Sequence, residues 1–251
     1  MSSKLNLNSE LVIGVDNVKE VAHASPTTQV RLDLMSSFAG DTTKPNTLSK
    51  VVLVDTGGAE RDSATISTTD WTTTSITNGY RATCTKTINI TANYSIAKVR
   101  LYGDTTLYFE YTLSSAISVT SGSVVYVTIQ IDATASITHS SGGTLVSANV
   151  TTYFGRTVIN RLCLGTEKGK KLNTVQLVYQ GGTVSAPTGS ISTDTANIRL
   201  TLSVSYTPSS DTTIDEYDYS LEDLSTLTQV KIQAVTLGGG LTHTWTYTVN
   251  F

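Results

Sequence analysis

The last ten residues, Thr242-His243-Thr244-Trp245-Thr246-Tyr247-Thr248-Val249-Asn250-Phe251, alternate threonine with mostly aromatic residues. A period of two is the spacing of a β-strand, whose successive side chains point to opposite faces. Thr242, Thr244, Thr246 and Thr248 therefore line one face, and His243, Trp245, Tyr247 and Val249 the other. The pattern predicts a half-buried strand, with Trp245 and Tyr247 turned inward and the threonine ladder turned to solvent or to a neighbour. A second stretch, Ser123 to Ile131, aligns with it so that Ile129 matches Val249, Gln130 matches Asn250 and Ile131 matches Phe251.

That repeat divides the chain. Residues 1–28 are polar and read as an N-terminal arm, residues 29–132 as a first β-sandwich, residues 133–155 as a linker and residues 156–251 as a second β-sandwich. Landmarks recur in order. Arg161-Leu162-Cys163-Leu164 answers Arg31-Leu32-Asp33-Leu34, and the run Leu172 to Gly182 answers Leu48 to Gly58, each ending on a double glycine. Ile198-Arg199-Leu200-Thr201-Leu202 matches Tyr80-Arg81-Ala82-Thr83-Cys84, Ile214 matches Ile96, and Thr236-Leu237 matches Thr112-Leu113. A shared order of landmarks argues for tandem duplication over chance matches between two threonine-rich stretches. Each unit of roughly 100 residues has the size of a sandwich of short antiparallel strands, jelly-roll-like in class. Asn78-Gly79, Gly103-Asp104 and Ser121-Gly122 supply turn dipeptides between strands.

Composition supports an all-β chain. There are 45 threonines among 251 residues and only 15% charged residues, and Thr, Val, Ile and Tyr favour a pleated surface. Only Leu11–Lys19 and Glu216–Leu227 have the local character of a short helix. A net charge of −3 and a pI near 5.6 give no basic footprint for nucleic acid or an anionic membrane. No apolar run approaches a membrane span, and Met1 to Asn6 lacks the apolar core of a signal peptide. The expectation is synthesis in a cytoplasm without export by the general route. Cys84 and Cys163 lie far apart in apolar or alternating contexts, which suits two free, buried thiols.

No catalytic constellation emerges. The acidic run Asp211, Asp215, Glu216, Asp218, Glu222 and Asp223 could supply paired carboxylates, but nothing in the first half answers it, and it lacks the calcium-loop spacing. It reads as a solvated loop and strand edge. His23, His139 and His243 are isolated from one another and from cysteine, so no zinc spacing exists. No serine sits in Gly-x-Ser-x-Gly, and the glycine pairs at Gly181-Gly182 and Gly238-Gly239-Gly240 lack a following Lys-Ser/Thr. The triplets at Asn89, Asn93 and Asn149 read as composition. Trp71, Tyr108, Phe109, Tyr111, Tyr217 and Tyr219 divide between core and a partner-facing surface. Catalytic, cofactor-binding and metal-binding residues are all expected to be none.

Leu177 to Gly182, Thr212-Thr213-Ile214-Asp215-Glu216 and Trp245 to Phe251 together resemble β-sandwich virion structural proteins of tailed phages and related prokaryotic viruses, of the tail, collar or fibre-associated type. The likeness covers residues 156–251 and, more faintly, residues 29–131, and the clearer Gly-Thr-Gly turn of such proteins is here only Leu164-Gly165-Thr166. It implies a non-enzymatic structural protein of a tail, collar, capsid or decoration, made in the host cytoplasm and located in the virion. Its partners would be other virion proteins and further copies of itself in a symmetric homo-oligomer, with no nucleic acid and no membrane. The alternative from the residues is a carbohydrate-binding or adhesive module using Trp71 or Trp245.

Overall fold

The computed structural model describes residues 1–15, 18–138 and 144–251, and is mostly β. Its first strand, β1 (Ser2–Val15), places Ser3, Leu5, Leu7, Ser9, Leu11, Ile13 and Val15 at alternate positions, and all seven are buried. β2 (Val18–Ala24) pairs back on it, followed by α1 (Thr28–Phe38), β3 (Leu48–Asp55) and β4 (Glu60–Thr65). One 3-10 turn at Thr68–Asp70 leads to β5 (Thr72–Ile76), β6 (Gly79–Asn89), β7 (Tyr94–Gly103), β8 (Thr106–Val119) and β9 (Val124–Thr138). Then come β10 (Leu145–Val150) and α2 (Thr152–Ile159), which ends in a π-helical turn at Asn160–Leu164. The chain closes with β11 (Leu172–Tyr179), β12 (Gly182–Ser185), β13 (Ser190–Asp194), β14 (Arg199–Tyr206), β15 (Thr212–Leu221), β16 (Thr226–Leu237) and β17 (His243–Asn250).

Among the described residues these strands form three sheets. The largest runs β13-β14-β17-β1-β9-β6-β5, with β2 added on β1. The others run β10-β16-β15-β11-β12 and β4-β3-β7-β8. β1 therefore lies at the centre of the largest sheet, antiparallel to β9 along Ser2–Val15 and parallel to β17 at Ser2–Lys4. The expected N-terminal arm at 1–28 is instead this strand, together with β2. Its inward positions are apolar except Ser3, whose hydroxyl pairs with the Tyr247 hydroxyl at 2.7 Å, and Ser9, whose hydroxyl is buried against the Tyr111 hydroxyl and donates to the Gln130 carbonyl at 2.9 Å. A serine that has these partners occupies an inward position at little cost.

In their described residues the two expected helical windows are also mostly strand; residues 16–17 fall outside the described residues. Leu11–Lys19 spans the end of β1 and the start of β2, and Glu216–Leu227 spans the end of β15 and the start of β16. The helices lie elsewhere. In α1, Val30, Leu32 and Leu34 mimic strand spacing, yet buried Asp33 accepts from the Tyr108 hydroxyl and from Gln29 Nε2 at 2.8 Å. The acid is thus held by partners on a facing strand and one helical turn back, a pairing that fits α1.

The expected linker, 133–155, contains the end of β9, β10 and the start of α2. α2 lies directly on β6 and β9. At Gly155 a Cβ would stand 2.4 Å from the Ala133 carbonyl oxygen and 2.9 Å from Gly79 Cα, so only glycine allows this approach. Phe38 of α1 meets the Phe154 ring at 5.6 Å and the Phe251 ring at 5.5 Å, with the Arg161 guanidinium over it at 3.9 Å. The buried apolar residues of both halves accordingly form one connected core.

Several strand pairs of the first half can be set beside strand pairs of the second. Val51↔Leu101, Val52↔Arg100 and Leu53↔Val99 have as counterparts Val175↔Tyr219, Gln176↔Asp218 and Leu177↔Tyr217. A register shift follows Leu48 in one and Leu172 in the other. Ala82↔Ile131 and Cys84↔Ile129 correspond likewise to Leu200↔Val249 and Leu202↔Tyr247, and Ile96↔Ile117 to Ile214↔Val235. This register moves two sequence matches. Val249 answers Ile131, two residues from the expected alignment, and Thr236-Leu237 answers Ser118-Val119. Arg161 follows Ile159 into the π-helical turn, whereas Arg31 lies in the middle of α1.

Candidate assembly interface

The outer face of the largest sheet is built from the residues that alternate with its core. Thr83, Thr85 and Thr87 on β6, Thr128 and Gln130 on β9, Asn6 and Asn8 on β1, and Thr244, Thr246 and Thr248 on β17 lie there. Hydroxyls bond across strands at Thr85–Thr128 (3.0 Å), Thr201–Thr248 (3.3 Å) and Ser205–Thr244 (3.1 Å). Charge on this face is largely paired, as in the two-bond Arg81–Asp132 contact at 2.6 and 2.7 Å. The inward residues of β17 match the sequence expectation: Tyr247 is fully buried and Trp245 half-buried against the core. The Tyr247 ring stacks on Tyr219 at 4.3 Å.

Both ends of this sheet are strand edges without a further partner among the described residues. β5, Thr72-Thr73-Thr74-Ser75-Ile76, is exposed over its first four positions, and β13 is Ser190-Ile191-Ser192-Thr193-Asp194. A third open edge belongs to β17. β1 pairs with it only at Thr248–Asn250, so among the described residues His243, Thr244 and Trp245 have a strand neighbour in β14 alone. Beside them an open groove of about 390 Å³ is lined by Ile214, Ile232, Val235, Leu237, His243 and Trp245.

The six aromatics that were divided between core and surface are all buried: Trp71, Tyr108, Phe109, Tyr111, Tyr217 and Tyr219. The exposed apolar side chains are others, among them Tyr126 (55% exposed), Val235 (40%) and Leu241 (61%). Their exposure follows from which edge each strand leaves uncovered, and the one-dimensional pattern carries no signal of that.

The acidic run is dispersed along β15 and its flanking turns. Asp211 accepts from the Gly239 N–H at 2.8 Å, Glu216 pairs with Lys231 at 3.5 Å, and Asp223 pairs with Lys170 at 2.7 Å. Asp218 differs, being 7% exposed with one carboxylate oxygen unpartnered. Burial, reinforced by neighbouring Glu216, pushes its acid up to about 7. Burial likewise pushes the Cys84 thiol up to about 11 and the Cys163 thiol well above its usual value, so neither is an activated nucleophile. His23 lies on β2 and His243 on β17; His139 and the Ser140-Ser141-Gly142-Gly143 tip fall outside the described residues. No group of three metal-capable side chains occurs among the described residues, and none of their helices is long and apolar enough to cross a membrane.

No protein-family model matches the chain, and neither does any curated protein or solved structure.

Proposed function

We propose that this chain is a structural protein of a virus particle, a tail, collar, capsid or decoration component that acts through protein–protein assembly. The observation that carries the reading is the largest sheet, whose hydroxyl-covered and largely charge-paired face ends on β5 and β13, edges without a further partner among the described residues. Unpaired edges add strands from neighbouring molecules. Polar, uncharged surfaces let such contacts form without the cost of desolvating charge.

We further infer that the chain is an internal duplication of two jelly-roll-like β-sandwiches. What supports it is the pair-for-pair register of β3, β6, β7, β8 and β9 against β11, β14, β15, β16 and β17. The halves share β1 and exchange helix contacts, so the unit of assembly is the whole chain. A duplicated chain fills two equivalent places in a symmetric oligomer and doubles its apparent symmetry.

Electron microscopy of concentrated protein tests the reading. Regular rings, tubes or shells are expected; a field of single globular particles would sink it. The competing reading, a carbohydrate-binding or adhesive module, draws on half-buried Trp245 beside an open groove. Saturable glycan binding by the monomer, abolished by Trp245→Ala, would favour it.

A further inference from the structure

The two halves differ at one edge. In the first, Ile13 and Val15 of β1 lie opposite Val127 and Val125 of β9, and these four side chains are buried. By the register relation, Trp245 and His243 of β17 occupy the places of Val127 and Val125. Among the described residues no strand lies opposite them on that side, because β1 meets β17 only at Thr248–Asn250. The consequence is visible on the facing sheet: Ile117 is 4% exposed, whereas its counterpart Val235 is 40% exposed. The groove of about 390 Å³ is the space that the missing strand would fill.

We propose that this groove and the open β17 edge form an acceptor for one extended strand of a partner protein. The inference rests on the duplication reading, because the first half supplies the template. The incoming strand runs antiparallel to β17, bonds to the backbone of His243–Trp245, and sets alternating aliphatic side chains against Ile214, Val235, Leu237 and Trp245. No lining residue is an acid, lysine or arginine, so the inserted positions are uncharged. A buried ring nitrogen of His243, Nε2, has no hydrogen-bond partner, which suits a site completed by another chain. The template strand of a second copy is not the donor, because each copy holds its own Ser9–Val15 between β9 and β2; the occupant is a strand of a different protein.

The test uses the full chain with Trp71→Phe, which leaves Trp245 as its single tryptophan. The probe is a synthetic peptide of the sequence Leu7 to Val15, titrated into dilute, monomeric protein. A saturable blue shift of Trp245 emission is expected, with affinity reduced about tenfold or more by Val235→Asp, which puts a charge against the inserted strand. Val235→Asn, polar but uncharged at the same half-exposed site, serves if Val235→Asp does not fold. No shift at any peptide concentration would overturn the proposal. A shift that instead grows with the protein's own concentration and vanishes in Val235→Asp would also overturn it, since the occupant would be a second copy. Because the titration requires no assembly, its failure is separate from failure of the virion reading.

Discussion

Thr27 and Thr151 make the same two hydrogen bonds in the two halves. The Thr27 N–H donates to the Tyr108 carbonyl at 3.0 Å and its hydroxyl to the Leu107 carbonyl at 3.0 Å. The Thr151 N–H donates to the Leu227 carbonyl at 3.0 Å and its hydroxyl to the Thr226 carbonyl at 2.7 Å. Each threonine precedes a helix and fastens it to the strand after a hairpin. Thr27→Val and Thr151→Val keep the shape and remove the hydroxyl, and each is expected to lower stability by about 1 kcal/mol. Thr→Ser at either site should cost less. Urea denaturation checks this, and a neutral result at one site alone would break the equivalence.

β1 makes an equally direct prediction. Its Ser9 to Ile13 amides lie between β9 and β2 and should be among the slowest to exchange with deuterium, opening only when the protein unfolds as a whole. Exchange of that segment in seconds would restore the reading of a free arm.

Gly155→Ala brings a methyl group against the Ala133 carbonyl and the Gly79 backbone, none of which can turn aside. A loss of about 1–3 kcal/mol is expected from overpacking. An unchanged melting temperature would mean that α2 does not lie against β6 and β9.

Asp218 sets a pH dependence. Its folded acid titrates at about 7, above the unfolded value of about 3.9, so the folded chain holds a proton that the unfolded chain has released. This group's contribution therefore declines as pH rises from about 4 to about 7 and is least favourable above that window. Asp218→Asn should raise the melting temperature at alkaline pH, and the gain should vanish at acid pH. A gain independent of pH would assign the effect to packing.

The alternation of β17 was legible because no residue in it breaks period two, and its inward and outward faces follow from the sequence directly. Its exact partner was not legible, because a slip of two residues preserves both faces. β1 carried the same signal, obscured by inward Ser3 near its start and, in mid-strand, by inward Ser9. That serine is satisfied by Tyr111 and Gln130, partners more than 100 residues away that no local pattern reveals. The helices were hidden for a related reason. Gln29 to Leu34 alternates like a strand, and what fits it to a helix is Asp33 meeting Tyr108 from a distant strand. The open groove was invisible in the same way, since the exposure of Val235 depends on where β1 stops along β17.

The central claim is assembly through exposed sheet edges. Sedimentation velocity of the purified full chain, from dilute solution up to millimolar concentration, tests it most directly. The account predicts a discrete oligomer or a growing regular series, reversed by Thr74→Pro on the β5 edge. A strictly monomeric species across that whole range would contradict it.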